Sequence, residues 1–114
     1  MREPPEGTPS PPGAGSGFDR LLEHRSRLMI SVLLARYDRL SFSRLKELTG
    51  ETDGNLGANL RKLEDEGYVA CTKEFVARRP LSWYALTERG REALRAHVAS
   101  LEALIAAARG PHPT

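Results

Sequence analysis

The sequence predicts a mainly helical domain with one β-hairpin inserted before its last helix. Three observations carry that prediction. Apolar residues recur at three- and four-residue spacing along four separate segments. Two short runs rich in β-branched and aromatic residues, Tyr68–Phe75 and Leu81–Leu86, are divided by the turn-prone stretch Val76–Pro80. Helix caps also stand at the boundaries these patterns define, namely Ser43, Gly50, Thr52, Gly67 and Thr87.

In chain order, Phe18, Leu21, Leu22, Arg25, Leu28, Met29, Val32 and Leu33 follow helical spacing, with Asp19 and Glu23 near the positive end of the dipole. From Leu28 to Ala35 this helix is apolar on nearly every side, so it needs two neighbours, one of which could be a second subunit. Leu40–Phe42 reads as a short extended piece. Ser43 caps a second helix with Leu45 and Leu48 inward, and Gly50 suits its C-terminal end. Thr52 caps a third helix whose narrow apolar stripe is Leu56, Leu60 and Leu63, and Gly67 ends it. The hairpin follows, with a five-residue loop at Val76–Pro80. Thr87 caps a last helix reaching about Ala108, in which Leu94, Val98, Leu101, Ile105 and Ala108 step 4-3-4-3, the rhythm of a helix–helix seam.

The 114 residues suit one domain, spanning residues 18–108. A 39% hydrophobic share gives a modest core that holds a few helices and a hairpin but hardly a deep substrate cavity. Met1–Gly17 contains five prolines and four glycines with almost nothing apolar, so a disordered tail is expected there, and a shorter one at Arg109–Thr114. Cys71 is the one cysteine, which excludes an intramolecular disulfide and a cysteine-cluster metal site. Leu28–Ala35, the most apolar stretch, is broken by Ser31 and far shorter than the ~20 residues of a membrane span. The N-terminal region lacks the apolar run of a signal peptide, so the expected location is cytoplasmic.

The net charge is only +2, so placement rather than amount of charge must indicate a partner. Two short helices joined by Thr49-Gly50-Glu51 form a helix-turn-helix pattern, with a hairpin directly after it. A helix entering the major groove needs small or amide-bearing side chains on its outer face. Thr52, Asp53, Gly54, Asn55, Ala58, Asn59 and Lys62 supply such a face, opposite Leu56, Leu60 and Leu63. Asn55 and Asn59, four apart, are neighbours, and an asparagine amide matches the donor–acceptor pair of adenine. On the hairpin Lys73, Arg78 and Arg79 are opposed only by Glu74, a local +2 suited to phosphate or a minor groove. A solvated helix face and a solvated charge cluster are the plain alternatives.

The run LSFSRLKELTGETDGNLGANLRKLEDEGYV, the RRP of the hairpin and the following WYALTERGREAL resemble the MarR/ArsR-type winged-helix transcriptional regulators, in their small single-domain branch. The likeness covers about His24 to Leu101. It implies a homodimer joined through the first and last helices, reading an inverted repeat in double-stranded DNA, usually as a repressor and located on the bacterial nucleoid when bound. It places DNA contacts at Asn55, Ala58, Asn59 and Lys62, with Ser43, Thr52 and Asp53 beside them, and at the wing residues Lys73, Arg78 and Arg79. The implied dimer contacts are Leu21, Leu22 and Met29 with Leu94, Val98, Leu101 and Ile105. Departures weaken the grip: the family often has Ser at the position of Gly57, a polar or basic residue at Ala58, and His at Asn59. Gly54 and Gly57 each cost the helix roughly 1 kcal/mol relative to alanine.

Other residues read more plainly. Cys71 alternates with Val69 and Lys73 and suits half-buried packing better than a redox switch. His24 and His97 lack carboxylate or thiolate company, so no metal site is expected. Trp83 faces away from Tyr84 and Leu86 and is read as covering the hairpin. No Ser-His-Asp set, Gly-rich phosphate loop or paired carboxylates emerge, so no catalysis or cofactor is expected. Two other uses of the fold stay open to the sequence: a protein-interaction adaptor, and a sensor holding a small-molecule effector in a cleft between the first and last helices.

Overall fold

The structure, a computed structural model, describes residues 17–111. The expected Pro/Gly-rich tail therefore lies outside the described residues except for Gly17, and so do the last three residues of the chain. Four helices surround a small sheet in the order α1 (Arg25–Arg36), β1 (Leu40–Ser41), α2 (Phe42–Thr49), α3 (Asp53–Asp65), β2 (Val69–Val76), β3 (Arg79–Leu86) and α4 (Glu88–Arg109). This is the mainly helical fold with a hairpin wing that the spacing predicts. Among the described residues no helix is long and apolar enough to cross a membrane.

The first helix begins later than its apolar spacing indicates. Asp19 Oδ1 accepts from the Leu21 and Leu22 amides at 2.8 and 3.2 Å, and this Asx-type turn competes with helix formation. Longer-range bonds hold the turn in place. The Asp19 amide donates to His97 Nδ1 at 2.9 Å, and Tyr68 Oη donates to Asp19 Oδ2. The Phe18 ring meets His97 edge-on. Leu22 is driven into the core by this arrangement and is fully buried within the protomer.

The cap of α2 also differs. Ser41, not Ser43, is the N-cap, its hydroxyl accepting the Arg44 amide at 3.1 Å, while Ser43 lies exposed within the first turn. Of the two leucines expected inward, Leu45 is buried and Leu48 is largely exposed. Gly50 ends the helix at φ +72°, the left-handed conformation glycine adopts most easily, with its amide on Lys46 O. Thr52 caps α3 through the Asn55 amide at 3.1 Å, and Leu56, Leu60 and Leu63 are buried as a stripe. Thr87 caps α4 through the Gly90 amide.

The sheet is antiparallel in the order β1-β3-β2. Pairing of Leu40 and Cys71 with Tyr84, and of Val69 with Leu86, puts these residues on the core face; Ser41, Thr72 and Trp83 take the other. The hairpin has longer strands and a tighter turn than the sequence indicates. Val76 pairs with Arg79, leaving Ala77 and Arg78 as a two-residue turn with φ +53° and +67°. Positive φ at both central residues marks the type I′ turn, whose twist matches that of the strands. Pro80 reads as a loop residue but is a strand residue, opposite Phe75. The closing Val76–Arg79 pair carries the hydrogen bonds, so the next pair is non-hydrogen-bonded and Pro80 costs the ladder no donor.

Candidate nucleic-acid interface

Thr52 and Asp53 open α3, and both are exposed along with Gly54, Asn55, Ala58 and Lys62. Asp53 suits the positive end of the dipole and forms an exposed ion pair with Lys46 Nζ at 2.9 Å. That pair ties the two helices of the helix-turn-helix across Gly50 and cancels the Asp53 charge. Ser43, Lys46 and Asp53 line one open cleft together with Phe42 and Glu47.

Asn59 is a correction. It is only 7% exposed, and its Oδ1 accepts from Arg27 Nη1 at 3.1 Å, so its amide faces α1 rather than the outer surface. The reason is angular. Asn59 precedes Leu60 and lies three positions after Leu56, on the flank of the buried stripe, whereas Asn55 lies one turn earlier where α3 emerges from beneath α1. Arg27 is itself fixed by a bond from Nε to Leu21 O at 2.8 Å. It is a residue that sequence reasoning missed, since nothing local connects it to a partner 32 positions away.

A second cleft is lined by His24, Arg27, Asn55, Ala58 and Lys62, with Asn59 at its floor. The structure thus brings Asn55, Ala58 and Lys62 together and adds His24 and Arg27 from the start of α1, with Ser26 and the acid Glu51 beside them. It does not bring the wing cations to this cleft. Lys73, Arg78 and Arg79 lie exposed on the hairpin. The acid beside them, Glu74, accepts from Trp83 Nε1 at 2.6 Å, and the Arg39 guanidinium stacks 3.9 Å from the Trp83 ring centroid. Trp83 thereby covers the outer face of the wing, and its cation partner Arg39 had no signal in the sequence.

On the proposed dimer surface the residues divide. Leu22 and Leu94 belong to the protomer core and are not available to a second subunit, because the Asp19 turn and the α4–β3 packing enclose them. Leu21, Val98 and Leu101 are half-buried, and Met29 and Ile105 are exposed, with Val32 and Leu104 beside them. The opposite edge of α1 is buried through Ile30, Ser31 and Leu34, so the protomer satisfies one of the two apolar sides of this helix.

Two phenols lie near these elements, Tyr68 buried and Tyr84 half-buried. Burial, then the hydrogen bond to Asp19, pushes Tyr68 up to about 12. Burial, then the hydrogen bond with Cys71, pushes Tyr84 up to about 12. Cys71 is half-buried. His97 is buried beneath Phe18, and His24 is exposed at the second cleft, so the two histidines do not meet.

Comparison with known proteins agrees with this geometry. An uncharacterised protein of Methanocaldococcus jannaschii is 35% identical over 72 residues, which cover 63% of this chain and 78% of that protein. The transcriptional regulator homologue of Pyrococcus horikoshii superposes with a TM-score of 0.72 at 31% identity, over 76% of this chain and 86% of that one. A zinc-responsive MarR family member of Lactococcus lactis superposes at a TM-score of 0.57 and 19% identity over 75% of this chain, which spans only 58% of that longer protein; the likeness is one of fold. The winged helix DNA-binding domain family matches residues 26–105. The chain belongs to that family, with a MarR-like fold.

Proposed function

We propose that the chain is a transcriptional regulator that binds double-stranded DNA as a homodimer, reads an inverted repeat and acts as a repressor in the cytoplasm. The observation that carries this reading is the exposed, capped start of α3 with Asn55, Ala58 and Lys62 on its outer side, followed by a wing bearing three exposed cations. Asn55 is the base-reading candidate, because its amide suits adenine. Lys62, Arg78, Arg79 and Lys73 are the phosphate candidates, and Thr52 with Ser43 supplies further polar contacts at the helix starts. Asn59 has no part in contact with bases; its role is to seat Arg27.

Arg78 adds a second line of support. A non-glycine residue in the left-handed region costs roughly 1–2 kcal/mol, and turns of this type favour Asn and Gly. Keeping an arginine at the tip in that conformation fits a side chain retained for contact. The dimer reading rests on the exposed apolar side chains Leu104 and Ile105 of α4, with the half-buried Val98 and Leu101 on the same helix and Leu21 before α1; Met29 is also exposed, but beside Thr49 and Glu51.

The test is binding of the full chain to random duplex DNA as salt is varied. Arg78→Ala and Arg79→Ala each lower the slope of log affinity against log salt by about 1 for each phosphate contact removed. Unchanged slopes remove the wing from the interface, and absence of binding by the folded protein at low salt removes DNA as the partner. Ile105→Asp, at a 49% exposed site, gives folded monomers in sedimentation; an unaltered dimer refutes the seam.

A further inference from the structure

The wing carries more than charge. Phe75 is 77% exposed and Val76 51% exposed, and they are neighbours beside the turn of the hairpin. The sheet pleat explains why they are uncovered. Val69, Cys71, Lys73 and Phe75 share the core face of β2, but only the first two lie over the body of the protein, and the strand then runs on beyond it. Phe75 pairs with Pro80, so two rigid apolar side chains face each other one step behind the tip. A solvent-exposed phenylalanine at a strand end is an aggregation hazard that a purely structural hairpin has no reason to keep.

The charge around this pair identifies its occupant. Lys73 shares the face of Phe75 and Arg78 stands at the tip beside it, whereas Glu74 is turned to the other face, with Arg79, and held by Trp83 Nε1. Among the described residues of the hairpin, Lys73 and Arg78 are therefore left without an acid on the side and tip where Phe75 stands. An apolar pair flanked by cations complements a surface that is apolar within and anionic at its rims. The DNA minor groove has that character, with sugar walls between two rows of phosphates.

We infer that Phe75, supported by Pro80, is an apolar contact residue of the wing that packs into the DNA minor groove while Lys73 on its face and the arginines at the turn, Arg78 and Arg79, hold the flanking phosphates. This deepens the DNA-binding reading above and rests on it. It divides the labour on the wing. The cations supply affinity that salt screens, and Phe75 supplies affinity that salt does not touch.

That division sets the experiment. The full chain is titrated onto a fluorescent A·T-rich duplex over a range of salt, and log affinity is extrapolated to 1 M salt, where the counterion contribution vanishes. Phe75→Ala lowers the extrapolated affinity by roughly tenfold, within the range for losing an aromatic contact to nucleic acid, and leaves the slope unchanged. Phe75→Leu, which keeps an apolar side chain, restores most of the loss. Filling the minor groove with netropsin abolishes the difference between wild type and Phe75→Ala. If Phe75→Ala binds like wild type while Arg78→Ala still lowers the slope, the apolar contact is wrong and the DNA reading stands. If Phe75→Ala lowers the slope instead, Phe75 only positions the cations and the inference falls. If the folded wild type binds no duplex at low salt, the DNA reading falls, and this inference with it.

Discussion

Gly90 stands in the first turn of α4 against the backbone of Tyr68, and its replacement by alanine has a cost that the geometry sets directly. A Cβ there overlaps Tyr68 O and stands 2.8 Å from Tyr68 C and 3.0 Å from Leu86 Cδ2. Carbon pairs are at rest at ~3.5–4.0 Å, so the start of α4 must withdraw by about 1 Å. Both sides of the contact are pinned. The Tyr68 amide donates to Leu63 O at 2.9 Å, and Tyr68 O accepts the Thr87 amide at 3.0 Å. Thr87 Oγ1 accepts the Gly90 amide at 3.0 Å and donates to Gly67 O at 2.6 Å. Overpacking by one carbon costs roughly 1–3 kcal/mol, and stretching one of these bonds adds about 1. Alanine's better helix propensity returns at most ~1 kcal/mol. The expected net loss is roughly 1–4 kcal/mol, a large part of the ~5–15 kcal/mol of a typical domain. Urea unfolding followed by circular dichroism, at fixed protomer concentration, reads it as a lower midpoint at unchanged slope. Gly57→Ala is the internal control, since nothing lies within 4 Å of its added Cβ, and it gains up to ~1 kcal/mol. A Gly90→Ala protein as resistant to urea as wild type refutes the close approach of α4 to Tyr68.

Two further predictions concern the site and the two phenols. Asn59→Ala lowers stability by about 1–2 kcal/mol by leaving Arg27 Nη1 without its acceptor, with no change in the salt slope of DNA binding; Asn55→Ala leaves stability within ~0.5 kcal/mol and weakens binding. Equal effects of the two on stability contradict the difference in their placement. Tyr68 and Tyr84 keep their protons up to about pH 12 when folded, whereas an unfolded tyrosine ionises near 10. The unfolded chain therefore binds fewer protons between these values, so stability is whole below pH 10 and falls as pH rises toward about 12. Urea midpoints measured across that window fall less steeply in Tyr84→Phe, and an identical decline refutes the role of Tyr84.

What the sequence disclosed and what it withheld follow from the range of the interactions. Thr52, Gly50 and Thr87 act on groups within four residues, so their caps are legible without a fold. The leucine stripe of α3 is legible because burial imposes the helical period. The segment before Arg25 has the same apolar period yet forms a turn, because Asp19 is held by Tyr68 and His97, 49 and 78 positions away. Nor does residue type reveal the turn at Ala77 and Arg78, which lacks the Asn and Gly that normally announce it. Its strands on either side supply the pairing that enforces it.

The candidate site shows the same limit in sharper form. Periodicity assigns a residue to a face but not to a depth, and Asn55 and Asn59 share a face while only one is exposed. Depth is set by α1, whose Arg27 crosses the second turn of α3 and closes it. With Lys46 and Asp53 paired to each other, the cleft beside α3 is left with Lys62 and, from α1, Arg27, against the acid Glu51. One such helix carries too little charge to hold a duplex against salt, since each phosphate contact contributes only about one unit of slope. Under the proposed function the wing must therefore supply most of the ionic grip. Two wings in a dimer would double it without any change to the base-reading face, where Gly54, Gly57 and Ala58 leave room for α3 to lie close to the base edges. The sparse side chains of α3 are then an asset for approach, and the exposed cations of the hairpin are their necessary complement.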